Sequence, residues 1–305
     1  MKISVIGAGN VGATCANVIA LKELANEVVL LDIKEGIAEG KALDISQSLT
    51  LLESNVRVTG STNDYSKTAN SEVVVITSGV PRKPGMSRDD LISINAGIVT
   101  DVATKVLEHS PEAILIIVSN PLDVLCHVVQ KATKLPYNRV IGMAGVLDVA
   151  RYSYFIADAL NVKYHDVQAQ LMGGHGDMMV PLKSYTSIAG VPISELMEDE
   201  TLNQIIERTK FGGGELVKLI GTSAWIAPGT AAAIMVESIV KDNNRICSAC
   251  VHLDGEYGIE DLYLGVPVRL GKQGLKEIVK LKITEEEMTN LHKSASSVRE
   301  IVEKL

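Results

Sequence analysis

Short apolar runs rich in β-branched residues alternate with segments of helical periodicity along the first half of the chain. The runs are nearly continuous in hydrophobic residues, which is typical of parallel strands covered on both faces. They predict strands at residues 2–6, 27–31, 57–59, 73–77, 113–118 and 139–141. The intervening segments predict helices at residues 11–22, 37–49, 88–108 and 122–134. Six strands joined by helices favour an α/β fold, a Rossmann doubly wound parallel sheet made of two mononucleotide-binding halves.

The pattern changes after about residue 143. Further helices are predicted at residues 148–160, 202–219, 230–241 and 285–305, and strands at 166–171, 245–252 and 262–270. Thr284 and Glu287 have the spacing of a capping box at the start of the last helix. We therefore predict a dinucleotide-binding domain at residues 1–143 and an α+β substrate domain at residues 144–305. No linker or low-complexity stretch separates them, so we expect the two domains to pack intimately.

Composition narrows the classes of partner. The 305 residues carry a formal charge of -8, which argues against nucleic acid or an anionic membrane surface as the main partner. No apolar run reaches the roughly 18 residues of a membrane span. The first predicted strand begins at residue 2 and leaves no room for a signal peptide, so we expect a cytoplasmic protein. Cys247 and Cys250 form a lone C-x-x-C without a second cysteine pair, so we expect free thiols and no metal site.

A glycine-rich segment follows the first predicted strand and opens the first predicted helix. It is composed of Gly7, Ala8, Gly9, Asn10, Val11 and Gly12. In this context the first glycine permits a tight turn, the second lets the backbone approach a pyrophosphate, and the third lets helix and strand pack closely. Asp32 ends the second predicted strand, where a carboxylate accepts hydrogen bonds from ribose hydroxyls and repels a 2′-phosphate. The segment predicts a site for NAD rather than NADP, the alternative being a solvent-facing aspartate.

A second group of residues has the chemistry of proton transfer. His175 stands in Gly-Gly-His-Gly-Asp, where three glycine neighbours carry no side chain to crowd a bound substrate. Asp148 can fix the tautomer of a histidine and stabilise its charged form, and Arg151, one helical turn later, can clamp a carboxylate through two hydrogen bonds. A proton-transfer group together with a nucleotide site implies redox chemistry. A turn histidine and a helix-surface arginine are the alternatives.

The segment at residues 78–89 follows the carboxyl end of a predicted parallel strand. It contains two glycines and two prolines, with Arg82, Lys83 and Arg88 between or after them. This composition favours a lid that closes over substrate and excludes water, against the alternative of a solvated basic loop. Asn120 follows another buried strand and precedes Pro121, so it is expected at the sheet edge where ligands of such folds bind, unless it only forms a turn.

These motifs together resemble the lactate/malate dehydrogenase superfamily over nearly the whole chain. They are GAGNVG at 7–12, Asp32, TSGVPRKPGMSR at 77–88, VSNPLDV at 118–124, GVLDVAR at 145–151 and GGHGD at 173–177. The resemblance is greatest to the lactate-dehydrogenase-like malate dehydrogenases of bacteria. It implies reversible, NAD-dependent hydride transfer between (S)-malate and oxaloacetate. It also implies a homodimer or a homotetramer.

The resemblance also assigns roles to single residues. His175 is implied as the acid–base group, Asp148 as its orienting partner and Arg151 as the ligand of the C1 carboxylate. Arg88 is implied to polarise the reacting carbonyl. Arg82 is implied to select the substrate, because lactate dehydrogenases carry glutamine at this position and malate dehydrogenases carry arginine. The remaining implied contacts are Asn120 with the substrate oxygen, the backbone of Val118 and Ser119 with the nicotinamide, and Asn95 with the cofactor.

Three other functions stay open from the sequence. The first is a 2-hydroxy-acid dehydrogenase that prefers lactate or a branched analogue. The second is a non-catalytic NAD sensor, against which the joint presence of His175, Asp148, Arg151, Arg88 and Asn120 argues. The third is an NAD-dependent glycosidase, whose chemistry uses a bound divalent metal and a sugar.

Overall fold

The computed structural model describes residues 1–80 and 88–304, and of Arg88 the backbone alone. The strands are β1 Lys2–Ile6, β2 Glu27–Asp32, β3 Arg57–Thr62, β4 Val73–Ile76, β5 Ile114–Ile117, β6 Val140–Gly142, β7 Val167–Gln168, β8 Leu171–Gly173, β9 Met179–Pro181, β10 Ser187–Ile188, β11 Val191–Pro192, β12 Ile246–Leu253, β13 Leu262–Gly271 and β14 Gly274–Ile278. The α-helices are α1 Asn10–Leu21, α2 Ile37–Leu51, α3 Arg88–His109, α4 Leu122–Thr133, α5 Gly145–Leu160, α6 Ile193–Leu196, α7 Asp199–Ile220, α8 Ile226–Val240 and α9 Glu285–Val302.

The first six strands form a parallel sheet in the order β3-β2-β1-β4-β5-β6. This is the strand order of a doubly wound sheet, and it confirms the predicted Rossmann fold. Every residue of β4 and β5 is buried, which explains why these strands are continuous apolar runs in the sequence. The order reverses between β1 and β4, and ligands of such sheets bind at the carboxyl end of that junction.

The second half of the chain continues the same sheet. β12 pairs antiparallel with β6 through Cys250 and Gly142, and β13, β8, β9 and β14 extend the sheet to eleven strands within the described residues. One hydrophobic cluster contains Val5 and Val75 from the first half and Val251 and Leu264 from the second. The predicted intimate packing is therefore confirmed. The predicted domain boundary, at 143/144, falls on the two residues between β6 and α5 and stays a prediction.

Most helices were located correctly by periodicity, and their ends differ by a few residues. α8 begins four residues before its predicted start because Pro228 lies in its first turn, where no intrahelical N–H partner is needed. The capping box of α9 is confirmed: Thr284 accepts from the Glu287 backbone N–H, and Glu287 accepts from the Thr284 backbone N–H. Among the helices of residues 1–80 and 88–304, none combines the length and apolar character needed to cross a membrane.

The single strand predicted at residues 166–171 is wrong. β7 belongs to a separate three-stranded sheet with β10 and β11, whereas β8 pairs with β13 and β9 in the large sheet. The break falls at Gln170, whose side chain accepts a hydrogen bond from Ser248 and whose carbonyl accepts from the backbone of Leu182. The chain changes sheets there, and two strands of two and three residues are too short to show a period of their own.

Candidate active site

Three chain segments leave the sheet side by side at its carboxyl edge. Ile6 of β1 is paired with Ile76 of β4, and Ile76 is paired with Ile117 of β5. The backbone N–H of Thr77 donates to the carbonyl of Ile6, and that of Val118 donates to the carbonyl of Ile76, at 2.8 and 2.9 Å. The glycine-rich loop, the segment after β4 and the segment after β5 therefore begin at one level of the sheet.

Each glycine of the loop meets a different constraint. Gly7 has φ +103°, and a Cβ on it would lie 2.7 Å from the Thr77 hydroxyl. A Cβ on Gly12 would lie 1.9 Å from the Gly7 carbonyl oxygen, which backbone atoms cannot accommodate. A Cβ on Gly9 would meet no atom within 4 Å among the described residues beyond its neighbours in the chain and in its own helix. Gly7 and Gly12 are thus required by the turn and its packing, whereas Gly9 keeps an open surface clear for a ligand.

The environment of this loop fits a dinucleotide. Gly9 is the N-cap of α1 and no side chain in the described structure caps that end, which leaves its positive dipole to an anion such as a pyrophosphate. Asp32 accepts from the Ala8 backbone N–H at 2.6 Å and from the Lys34 backbone N–H at 2.9 Å. An ionised carboxylate has about four acceptor sites, so Asp32 can hold the loop and still accept from ribose hydroxyls.

Two polar residues at the sheet edge, Asn95 and Ser119, direct their side chains to backbone groups of the protein. Asn95 of α3 is 3% exposed, and its amide donates to the carbonyls of Val80 and Asn120 and accepts from the Val80 backbone N–H. Both amide N–H groups are used within the protein, and the contact between Asn95 and the cofactor stays a prediction. The Ser119 hydroxyl donates to the Ser78 carbonyl at 2.5 Å. Both side chains hold together the segments after β4 and β5.

The proton-transfer group is assembled from two elements. Nδ1 of His175 lies 2.8 Å from Oδ2 of Asp148, whose side chain is 1% exposed. Nη1 of Arg151 lies 3.3 Å from the other carboxylate oxygen, because residues three apart on α5 share a face. The structure thus brings together the three residues that the sequence predicted, and Asp148 lies between the two cations.

Electrostatics raise the pKa of the His175 imidazole. Burial lowers the pKa of His175, but the charge and hydrogen bond of Asp148 and the charge of Asp123 outweigh that effect. The positive charge of Arg151 opposes them more weakly. The pKa of His175 is therefore raised above its usual value, which suits a group that must donate a proton.

A cleft of about 780 Å³ joins the two groups of residues. Its lining includes Val11 and Val118 from the nucleotide side and Asn120, Arg151 and His175 from the chemical side. Ser223 and Ala224, between α7 and α8, also line it. The cleft can therefore present a substrate to His175 and Arg151 at the carboxyl end of the sheet, where the sequence predicted it.

Two predicted site residues cannot be placed in this geometry. Arg82 lies outside the described residues, and so does the side chain of Arg88, whose backbone begins α3. Their roles stay predictions from the sequence. Cys247 and Cys250 lie three residues apart on β12, so they face opposite sides of a strand. Within the described part of the chain, no group of three or more His, Cys, Asp or Glu residues could hold a metal ion.

Sequence reasoning missed two residues that contact the loop that carries His175, at residues 173–177. Asp123 of α4 accepts the backbone N–H of His175 at 2.9 Å, and Ser294 of α9 accepts that of Gly174 at 2.8 Å. Asp123 stands inside the VSNPLDV motif, so a carboxylate in that position was a visible signal. Ser294 lies 120 residues beyond Gly174, and nothing in the sequence indicated its contact with the loop.

The chain is similar to known dehydrogenases over its whole length. The family model described as lactate/malate dehydrogenase, NAD binding domain, matches residues 1–142, and the lactate/malate dehydrogenase alpha/beta C-terminal domain matches residues 145–305. A malate dehydrogenase of Cytophaga hutchinsonii is 60% identical over 302 residues, which cover 99% of this chain and 97% of the relative.

Solved structures extend the similarity to the fold. The malate dehydrogenase of Salinibacter ruber superposes with a TM-score of 0.95 at 49% identity, covering 99% of this chain and 97% of that one. A lactate dehydrogenase of Cryptosporidium parvum, solved with lactic acid and nicotinamide adenine dinucleotide, has the same TM-score at 39% identity, with coverage of 99% and 97%. The fold is therefore shared by proteins named for two substrates.

We expect Gly9→Ala to weaken NADH binding by on the order of tenfold or more without unfolding the protein, because the new methyl group would occupy the surface that the backbone offers to a pyrophosphate. Gly9 has φ −63°, which alanine adopts without strain. Fluorescence titration with NADH measures the affinity, and thermal melting reports the fold. Gly40→Ala, on the exposed face of α2, is the matched control and should change neither quantity. Unchanged affinity in Gly9→Ala would place the dinucleotide elsewhere.

Proposed function

The chain belongs to the lactate/malate dehydrogenase family, and we propose that within this family it interconverts (S)-malate and oxaloacetate. It is an NAD-dependent oxidoreductase, with the NAD-binding domain in its first half. The observation that carries the proposal is the Asp148–His175 pair, whose histidine lines, together with Arg151, the cleft that Val11 of the glycine-rich loop also lines. The malate dehydrogenase names of relatives at 50–60% identity support the choice of substrate.

The proposed reaction begins with the orientation of the imidazole. Asp148 accepts from Nδ1 of His175, so Nε2 is the atom available to the substrate oxygen. In the direction of reduction, Nε2 donates its proton to the C2 oxygen of oxaloacetate, and in the direction of oxidation it removes the proton from the malate hydroxyl. When bound, NADH supplies the hydride for the C2 carbon, and NAD⁺ accepts it in reverse. The negative charge of Asp148 stabilises the imidazolium in both directions.

The substrate is held by charge and by hydrogen bonds. Arg151 is proposed to bind the C1 carboxylate through two parallel hydrogen bonds, since its contact with Asp148 uses one nitrogen at 3.3 Å. Asn120, which lines the cleft, is proposed to contact the substrate oxygen. From the resemblance, Arg88 polarises the reacting carbonyl and Arg82 binds the second carboxylate.

The second carboxylate is what separates this proposal from a lactate-type dehydrogenase. Arg82 and Arg151 together would neutralise the two charges of a four-carbon diacid in a closed site. Pyruvate has one carboxylate and would leave the Arg82 charge unpaired. Burying an unpaired charge costs several kcal/mol, which corresponds to discrimination of roughly 10³-fold or more.

We also propose a cytoplasmic homodimer or homotetramer. Large apolar side chains are exposed on the helices, with Leu51 of α2, Leu219 of α7 and Ile226 of α8 each more than half exposed. An apolar surface groove lined by Val149, Trp225 and neighbouring residues lies beside α5 and α8. Exposed apolar surface of this kind is typical of an interface between subunits. Sedimentation equilibrium should give a dimer or tetramer at micromolar concentration, and a persistent monomer would contradict this.

Replacing Arg82 with Gln should lower the preference for oxaloacetate over pyruvate, measured as the ratio of the two kcat/KM values with NADH, by roughly 10³-fold. The parent protein should turn over oxaloacetate faster than pyruvate, and NADH should serve better than NADPH. Lys83→Gln removes a charge from the adjacent residue and is the control, with little expected change in the ratio. A parent protein that reduces pyruvate faster would instead be a lactate-type dehydrogenase. An unchanged ratio in Arg82→Gln would show that Arg82 does not select the substrate.

Replacing His175 with Asn should leave NADH affinity unchanged and lower kcat by about 10²- to 10⁴-fold, because asparagine cannot transfer the proton. NADH fluorescence measures the first quantity and steady-state kinetics the second. His165→Asn changes an exposed histidine and should preserve both. Full turnover by His175→Asn would refute the mechanism. The sensor hypothesis instead predicts that the parent protein and the variant are equally inactive. Activity that a chelator abolishes would favour the NAD-dependent glycosidase.

A further inference from the structure

The loop that carries His175 is attached to two helices through consecutive backbone N–H groups. The N–H of Gly174 donates to the Ser294 hydroxyl of α9, and the N–H of His175 donates to Oδ2 of Asp123 on α4. Glycine is required where α9 approaches, since a Cβ on Gly173 would lie 2.8 Å from the Ser294 oxygen and one on Gly174 would lie 3.0 Å from Val298. The loop is thus fixed at the residue that carries the imidazole and at the residue before it.

Placing the carboxylate of Asp123 in this buried position costs free energy. Its side chain is 6% exposed, and its second oxygen, Oδ1, has no hydrogen-bond partner in the described structure. Burying this carboxylate costs free energy that the N–H of His175 and the weak thiol donor of Cys250 return only in part. A neutral asparagine could accept the same hydrogen bond through its amide oxygen. The negative charge itself therefore needs a reason, beyond the favourable position in the first turn of α4.

The charge of Asp123 raises the pKa of the His175 imidazole. In the described structure, the charged groups that influence His175 are Asp148 and Arg151 of α5 and Asp123 of α4. After burial and Asp148, the charge of Asp123 is the next influence on the pKa of His175 and raises it. Burial raises the pKa of Asp123 above its usual value, and the N–H and charge of His175 and the thiol of Cys250 offset only part of that rise.

We propose that Asp123 is a positioning residue for the reaction: its carboxylate anchors the backbone of His175 and supplies a second negative charge, beside that of Asp148, which favours the imidazolium. Ser294 anchors the neighbouring residue and carries no charge. Asp123 touches the loop backbone rather than the substrate. This inference rests on the proposed acid–base role of His175.

The test uses the pH dependence of both directions in Asp123→Asn. Reduction of oxaloacetate requires protonated His175, so kcat/KM falls as pH rises through the pKa, whereas malate oxidation requires neutral His175 and rises through it. Loss of the Asp123 charge lowers that pKa, so both profiles should move to lower pH. Near the midpoint of the parent profile, reduction should slow while oxidation speeds up. Damage to the fold cannot produce this, because it would slow both directions.

Two controls separate charge from anchoring. Ser294→Ala removes the other anchor without a change in charge, so kcat should fall on the order of tenfold in both directions and the profiles should stay in place. Glu287→Gln removes a buried carboxylate that accepts hydrogen bonds from Ser184 and Thr284, about two helical turns before Ser294 on α9, and should leave the profiles unmoved. If Asp123→Asn does not fold, Ser294→Ala still tests the anchoring.

The outcomes distinguish this inference from the proposed function. Profiles that stay in place in Asp123→Asn, with both directions slowed equally, would show that Asp123 has only a structural role. Unchanged kcat in Ser294→Ala would overturn the anchoring of the loop. In either case the loss of activity in His175→Asn would leave the proposed function standing. Only full activity of His175→Asn would contradict both this inference and the proposed function.

Discussion

Asp148 is 1% exposed, and a carboxylate at that depth is tolerated only where cations and hydrogen-bond donors replace its lost hydration. Here the compensating groups are the imidazole of His175 and the guanidinium of Arg151, which contact its two oxygens. The stability of the buried charge and the chemistry of the site therefore depend on the same contacts. Removing either cation would leave Asp148 under-compensated, so each of the three residues constrains the other two.

The sheet makes this arrangement possible. The parallel strands of the first half end together at one edge, and β12 continues the sheet directly into the second half. The loop that carries His175 follows β8, which pairs with β13 of the same sheet. The nucleotide loop and the proton donor thus belong to one continuous framework, and their separation does not depend on a flexible connection between domains.

The sequence predicted those features that are encoded locally. The six strands and four helices of the first half follow from periodicity, and the roles of Gly7 and Gly12 follow from a turn that only glycine permits. The Asp148–His175 contact was suggested by the chemical types of residue and by the family resemblance. What remained hidden depends on contacts between distant segments: the separation of β7 from β8, the burial of Asn95 between two loops, and the anchoring of Gly174 by Ser294. No local pattern records which side chain will lie under a loop 120 residues away.

Substrate choice cannot reside in the fold, because a lactate dehydrogenase and a malate dehydrogenase match this chain with the same TM-score. It must reside in single side chains that meet the part of the substrate in which the two acids differ. Two residues in the described cleft suit what the acids share: Arg151 can bind the common C1 carboxylate, and His175 is proposed to face the common C2 oxygen. The charges of Asp148, at Nδ1 of the ring, and of Asp123, at the backbone N–H, both raise the pKa of His175 whichever acid is bound. We propose that the discriminating charge comes from a further side chain, and the sequence offers Arg82, in the basic segment after β4, for this role.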